Sequence, residues 1–278
     1  METPLNLVSP PGGEPGWRGR RGEVWEPMLR ALRRRLAAHT VSRARRLPLH
    51  VGIIPDGNRR WARRRRLPAW MGHARGYERL REVLNFLWDV GVRFVTVYTL
   101  SRENCLRRPR EELGLIHGLI VRAVHELRRD ERVREGRLRF RFIGDEALLP
   151  RGVLEELRGL ERDTEGNGPC VLTACVCYSG EWELVEALRR AARLASEAGV
   201  DASSITIENY RSLLPLGDQP APDLVIRSGG EYRLSNFLIP HIAYTELYFI
   251  KKYWPDVDEY DVARALLSYS RRTRRFGR

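Results

Sequence analysis

The sequence predicts a single α/β domain with a mainly parallel central sheet flanked by helices. Short β-branched apolar runs alternate with longer segments of helical period along residues 50–270, and strands separated by helices pair in parallel under a helical cover. No Pro/Gly-rich linker and no internal repeat divides that span. At 278 residues the chain is long enough to bury a large core.

The elements follow in order. Residues 1–22 are Pro/Gly-rich and read as disordered. Over 23–39, Trp25, Met28, Leu29, Leu32 and Leu36 recur at helical spacing between Arg30, Arg33, Arg34 and Arg35. Residues 23–49 thus read as a basic amphipathic appendage to a domain of 50–278. Such a helix suits either an anionic membrane surface or the body of the protein with its basic face solvated. The run 51–54 is a buried strand ending at Pro55. A helix spans 73–89, closed by Gly91, and the strand 94–100 leads into a polar loop at 101–110. A helix at 111–129, a strand at 138–143 and a helix at 150–161 come next. The strand 171–178 is the most β-like run, and 181–198 is a clear amphipathic helix. A shorter helix at 205–213, strands at 223–227 and 245–250, and a helix at 258–269 complete the domain.

Net charge is +13, carried by Arg, since Lys251 and Lys252 are the only lysines. That surplus points to anionic partners: phosphorylated small molecules, nucleic acid or an acidic membrane. The four cysteines form no CxxC pair and have no His at zinc spacing. Cys175 and Cys177, two apart in an apolar run, are expected as buried thiols on one strand face. With no signal peptide and no apolar run near the roughly 18 residues of a span, the protein is expected to be cytoplasmic, at most membrane-peripheral.

Four places carry candidate chemistry. After the first strand, Asp56-Gly57-Asn58 precedes Arg59, Arg60, Arg63, Arg64, Arg65 and Arg66. D-G-N alone suits a turn; beside six cations it reads as an anion site, with diphosphate the obvious ligand. Ser101 to Arg108 reads by itself as a solvated loop with hydrogen-bonding and charged groups. In Arg227 to Phe237, Gly229 and Gly230 permit close backbone approach, and Arg227, Arg233 and Ser235 can donate to diphosphate oxygens. Glu246 interrupts the apolar run AYTELYFI and needs a partner, either an Arg or a divalent metal. The acids Asp256, Asp258 and Asp261 fit neither a calcium loop nor a DDxxD site; Asp258 reads as a helix N-cap.

Together these blocks resemble one family. HVGIIPDGNRRWA, Gly72-His73, TVYTLSRENCLRR, DLVIRSGGEYRLSNF, AYTELYF, WPDVDE and a terminal RRFG occur in the order seen in cis-prenyltransferases. The resemblance is to undecaprenyl and dehydrodolichyl diphosphate synthases, covers about residues 50–277, and is archaeal-like in Pro55 and Arg59. It implies sequential condensation of isopentenyl diphosphate onto an allylic diphosphate primer, geranylgeranyl or farnesyl diphosphate. The product would be a long, undecaprenyl-like polyprenyl diphosphate, precursor of a glycosyl carrier lipid, made by a homodimer and accepted by an apolar tunnel.

The resemblance also implies roles. Asp56 and Glu246 would hold Mg²⁺; Gly57, Asn58, Arg59, Arg60 and Trp61 would bind the allylic substrate. Arg227, Arg233 and Ser235 would hold isopentenyl diphosphate, with Arg102, Glu103 and Arg107 as further substrate contacts. His73, Ser101 and Asn104 match a proton relay with Asn104 as acceptor, although Asn is no base. Electrostatics agrees about the metal: a carboxylate 4 Å from one negative charge is repelled by about 4 kcal/mol at an effective dielectric near 20. A cation between Asp56 and diphosphate removes that penalty. Three positions depart from the family: Ala69 replaces an Arg, with Arg65 or Arg66 as possible substitutes, Cys105 replaces an aromatic residue, and Tyr232 stands between Glu231 and Arg233.

Two other readings fit parts of the sequence. A non-catalytic partner subunit of a heteromeric synthase would share the fold, but such subunits typically lose the carboxylate kept here as Asp56. A nucleic-acid-binding protein fits the charge, yet no helix-turn-helix, zinc module or aromatic-lined basic strand appears, and nucleic acid is not an expected partner.

Overall fold

β1 (His50–Ile54) is buried along its whole length, and the sheet is built outward from it. The computed structural model describes residues 26–272. The 1–22 segment and the terminal RRFG lie outside the described residues. In chain order the elements are α1 (Glu26–Ser42), β1, α2 (Asn58–Arg64), α3 (Ala69–Asp89), β2 (Phe94–Ser101), α4 (Arg102–Arg107), α5 (Arg110–Arg128) and α6 (Glu131–Arg134). There follow β3 (Leu138–Ile143), α7 (Arg151–Asp163), β4 (Cys170–Tyr178), α8 (Gly180–Ala198), β5 (Leu224–Arg227), β6 (Glu246–Phe249) and α9 (Glu259–Arg271). The strand order is β3-β4-β2-β1-β5-β6, every pairing parallel. All strand carboxyl ends therefore open on one edge, where ligands of such sheets bind.

Each face has its own core. On one, β-strand residues such as Val51, Ile53 and Val97 pack with Val83 and Leu87 of α3, Ile120 and Val124 of α5, Leu157 of α7 and Leu266 of α9. On the other, Ile54, Tyr98, Tyr178, Val225 and Phe237 pack with Trp182 of α8. The N-cap expected at Asp258 is present: its carboxylate accepts from Asp261 N–H (3.0 Å), and Asp261 reciprocates in a capping box.

Several local expectations are corrected. The segment 58–64 and the 101–110 loop contain helices α2 and α4, and α3 begins four residues earlier than its apolar period. α2 buries only Trp61 and Ala62, and α4 buries nothing, so neither shows an amphipathic signature. The helix expected at 205–213 is a pair of 3₁₀ turns, Ala202–Ser204 and Tyr210–Leu213. On α1, Met28, Leu32 and Leu36 are exposed, while Ala37 and Val41 join the core. Arg45 N–H donates to Ser270 Oγ (2.7 Å), and the Arg46 guanidinium lies 5.0 Å from the Tyr269 ring centroid. The small face of α1, not its large apolar stripe, is what packs.

Cys175 and Cys177 do not share a face. Cys177 adopts left-handed backbone (φ 51°), and the β2–β4 register shifts twice beside it. The break in alternation sends Cys175 to one core and Cys177 to the other. Cys177 is bonded to Cys105 in a disulfide, and Cys170 and Cys175 are free thiols. Among the described residues, no helix is long and apolar enough to cross a membrane.

Candidate active site

Asp56 follows β1 at the carboxyl edge. Its backbone carbonyl accepts from Trp254 N–H (3.0 Å) and Ser228 Oγ (2.8 Å), which ties the loop to the chain beyond β5 and β6. Its carboxylate is gripped by Arg227 Nη2 (2.7 Å) and Arg60 Nη2 (3.1 Å). Arg227 is almost fully buried, and its other terminal nitrogen donates to Ser235 Oγ (2.9 Å) and to the Arg233 carbonyl. Arg60 also bonds Glu231 (2.6 Å) and lies 5.3 Å from the Tyr253 ring centroid. Burial opposes its charge, but Asp56 and Glu231 outweigh burial and hold its pKa above the usual arginine value.

Gly57 turns the chain into α2 with φ 106°, a conformation costly for any side chain, and a Cβ there would lie 2.7 Å from Tyr253. No side chain caps α2. Gly229 likewise has positive φ (90°), and a Cβ would lie 2.8 Å from Arg60 and 3.1 Å from the Asp56 carbonyl. Backbone strain gathers here too: Ser235, Asn236 and Leu238 all adopt left-handed backbone, which costs non-glycine residues about 1 kcal/mol or more each.

A second cluster stands at the N-terminal ends of α3 and α5. His73 Nε2 lies 3.0 Å from Glu112 Oε1 and 3.3 Å from Arg108 Nη1. Arg108 bonds the same carboxylate oxygen (2.8 Å), and Arg59 Nε stands 3.5 Å away. Burial pushes the His73 pKa down, helped by Arg108, although Glu112 pulls it up. Burial alone would raise the Glu112 pKa, but His73, Arg108 and Arg59 bring it below the ordinary value. Both shifts favour neutral His73 with its Nε2–H donated to ionised Glu112.

Beside His73 of the second cluster, and reaching Pro55 and Asn58 on either side of Asp56-Gly57, opens a cavity of about 1250 Å³, its open mouth included. Pro55, Asn58, His73 and Gly76 stand at the sheet edge; Leu84, Ile120, Val124 and Leu172 form apolar walls; Trp88 and Arg132 lie at the other end. Asn58 Oδ1 is buried there without a partner.

The remaining expected residues divide. Trp61 donates to Asp256 (2.7 Å), and Arg65 pairs with Asp256 (3.1 Å). Ser101 caps α4 by accepting Asn104 N–H (3.1 Å), and Arg102 pairs with Asp145 (3.0 Å). Glu103 and Asn104 are half-buried on α4, whereas Arg107 is exposed. Its neighbour Arg108 occupies the site instead. Arg233 is mostly exposed and pairs with Glu231 (2.8 Å).

Glu246 is not brought to Asp56 within one chain. It pairs in register with Leu224, which pairs with Val51, at the amino ends of their strands. At a rise of about 3.3 Å per residue, that is roughly 16 Å from Asp56 along the strands. Its partner here is Arg272. Sequence reasoning also missed Glu112, Glu231, Tyr253 and Tyr98, whose hydroxyl donates to the Ser235 carbonyl (3.0 Å).

A family model described as putative undecaprenyl diphosphate synthase matches residues 54–277. The chain is 41% identical over 233 residues to the tritrans,polycis-undecaprenyl-diphosphate synthase (geranylgeranyl-diphosphate specific) of Methanopyrus kandleri, covering 84% of this chain and 86% of that protein. It is 40% identical over 230 residues to the Sulfolobus acidocaldarius synthase of that name, covering 83% and 88%. Lavandulyl diphosphate synthase from Lavandula x intermedia, solved with dimethylallyl diphosphate, superposes with TM-score 0.78 at 30% identity, over 84% of this chain and 99% of that one. With the parallel sheet and its arginine-rich edge, these matches place the chain in the cis-prenyltransferase family, as an archaeal-like member of the undecaprenyl diphosphate synthases.

Proposed function

We propose that this protein condenses isopentenyl diphosphate units sequentially onto an allylic diphosphate primer to give a long, undecaprenyl-like polyprenyl diphosphate, the precursor of a glycosyl carrier lipid. The observation that carries the reading is one carboxylate, Asp56, bracketed by Arg60 and Arg227 at the mouth of an apolar cavity. Anion grip and hydrocarbon shelter lie side by side, as a diphosphate with a prenyl tail requires. Geranylgeranyl diphosphate is the preferred primer, in line with the names of the archaeal relatives.

Arg59, Arg60 and the first-turn amides of α2 bind the allylic diphosphate beside Gly57. Arg227, Ser235 and Arg233 bind isopentenyl diphosphate, and buried Arg108 adds charge between the two. His73, kept neutral by burial and held in place by Glu112, orients substrate, while Ser101 and Asn104 at the start of α4 direct the proton lost from C2. The apolar walls take up the growing tail. Each added unit brings five carbons, worth about 4 kcal/mol when buried at about 0.8 per carbon. From His73 to Trp88 α3 runs about 22 Å, which bounds the depth available to product.

Mg²⁺ fits Asp56. Mg²⁺ is usually held by one or two carboxylates plus substrate phosphates rather than by an all-protein cage, and Asp56, whose two carboxylate oxygens are paired with Arg60 and Arg227 here, would hold it once those guanidiniums turn to the diphosphate. Bound there, the ion would neutralise charge building on the departing diphosphate. Because the sheet holds Glu246 at its other edge, Glu246 can share such an ion only from a second copy.

A homodimer is therefore part of the reading, supported by the exposed Leu184, Val185 and Leu188 of α8 and Tyr244 on the same half of the chain. The protein would act in the cytoplasm, with peripheral membrane contact through Met28, Leu32 and Leu36 of α1. Replacing all three with Ser should lower sedimentation with anionic vesicles by at least half; unchanged binding would remove the membrane from the reading.

The enzymatic test is incorporation of radiolabelled isopentenyl diphosphate with farnesyl or geranylgeranyl diphosphate, with and without Mg²⁺, and products sized by chromatography. Asp56→Ala should lower the rate by on the order of 10²–10³-fold, with the circular dichroism spectrum unchanged. If neither primer is extended, the catalytic reading fails and a non-catalytic partner subunit takes its place.

A further inference from the structure

The Cys105–Cys177 disulfide joins two pieces of the chain 72 residues apart. Cys177 is the penultimate residue of β4, fully buried, while Cys105 lies on the half-exposed helix α4. In the function proposed above, that helix and its two flanks supply Ser101, Glu103 and Asn104, and Arg108 reaches His73 and Glu112.

α4 has little else to hold it. It is 6 residues long and none is buried. Its noncovalent fastenings include the Ser101 cap, the Arg102–Asp145 pair, the mostly buried Arg108–Glu112 pair and the packing of Cys105 against the core. A six-residue helix is far below the length at which helices persist unaided. The bridge is thus the strongest tie between α4 and the sheet, and it enters through the position where family resemblance leads one to expect an aromatic side chain.

We propose that the Cys105–Cys177 bridge is a redox-sensitive tether that positions α4 for prenyl transfer. The inference rests on the catalytic reading above and adds its regulation. In the oxidised protein the Ser101–Arg108 segment is pinned to the end of β4. A dithiol reductant opens it: a thiolate attacks Cys105 Sγ, the half of the bridge nearer solvent, and the S–S bond breaks with Cys177 leaving as thiolate. The reductant's second thiol then displaces Cys105, leaving the reductant as a cyclic disulfide and both cysteines as thiols; two electrons and two protons are transferred. Released α4 frays, and Asn104 and Arg108 lose their fixed positions. The tether is a positioning device; neither sulfur touches substrate.

The experiment compares full-length protein equilibrated with oxidised or reduced dithiothreitol, with the bridge mapped by peptide mass spectrometry after alkylation. Elongation is assayed at a temperature where both forms show the same far-UV spectrum. Reduction should lower kcat at least fivefold with a smaller change in KM for the primer, and reoxidation should restore it. Hydrogen exchange of the 101–108 amides should speed up at least tenfold while that of β1 stays unchanged. Cys105→Ser and Cys177→Ser should match the reduced enzyme and ignore dithiothreitol. Reduction should also lower the Tm by on the order of 10 °C. Equal kcat and equal exchange in both forms, or two free thiols at Cys105 and Cys177 under oxidising conditions, would overturn the tether. If neither form elongates a primer, the catalytic reading is at fault; mapping and exchange still report whether α4 is tethered.

Discussion

At the residue scale the site depends on charges whose neighbours decide their use. Arg107 and Arg108 are adjacent and chemically identical, yet only Arg108 is half-buried against His73 and Glu112, while Arg107 points to solvent. A charge in a partly desolvated cluster acts at lower effective dielectric, so its loss is felt more strongly. Arg108→Ala should lower kcat/KM by on the order of 10²-fold; Arg107→Ala should leave it within about twofold. Steady-state kinetics on the two variants checks this, and equal losses would return the role to both. Asp56 shows the opposite case, a residue singled out beforehand: an acid after a buried strand, followed by six arginines, is hard to reconcile with a plain turn, and the structure sets it between Arg60 and Arg227. Glu112 was not legible, because a Glu in the first turn of a helix is common for dipole reasons alone.

At the element scale, β1 is the axis of the sheet and carries a buried titratable side chain. His50 Nδ1 lies 2.7 Å from the Pro220 carbonyl, and Nε2 2.8 Å from Thr96 Oγ1. The neutral ring meets both needs by donating from Nδ1 and accepting at Nε2. Burial lowers its pKa to about 4, against the pull of the Pro220 hydrogen bond and Asp223. Since the unfolded chain takes up that proton near pH 6.5, the stabilisation is whole above that value and is lost as pH falls toward 4. The loss from this group is on the order of 3 kcal/mol. Chemical denaturation between pH 7.5 and 4 should show that decline, and a flat profile would refute the assignment. Long elements such as α3, α5 and α7 were readable because buried apolar residues recur along them at helical spacing. α2 and α4 were not, because short helices that bury two residues or none leave the pattern no room to appear.

At the scale of the whole molecule, the parallel sheet sorts the loops. It gathers the turns after β1, β2 and β5 at one edge and holds Glu246 at the other. The same geometry makes a second copy the route by which both carboxylates could serve one ion, and leaves the apolar face of α8 uncovered in a single chain. Leu188, 70% exposed on that face, is a suitable probe. Leu188→Glu should shift sedimentation from dimer to monomer at micromolar concentration, since a charge in an apolar interface costs several kcal/mol. Unchanged sedimentation would place the contact elsewhere.

The sequence by itself determined the α/β class, the parallel sheet, most long elements and the clustering of arginines in the loops of Asp56 and Arg227. Those features rest on local rules, namely burial period, turn chemistry and charge clustering, that act over a few residues and are written along the chain. Only the tertiary structure decided that Arg108 rather than Arg107 enters the site, that His73 meets Glu112, that Cys105 meets Cys177, and that Glu246 and Asp56 stand at opposite edges. Each of these depends on strand register and helix rotation between segments far apart in sequence. A one-residue change in register or a small rotation reverses which side chain faces the site, and no local pattern specifies either.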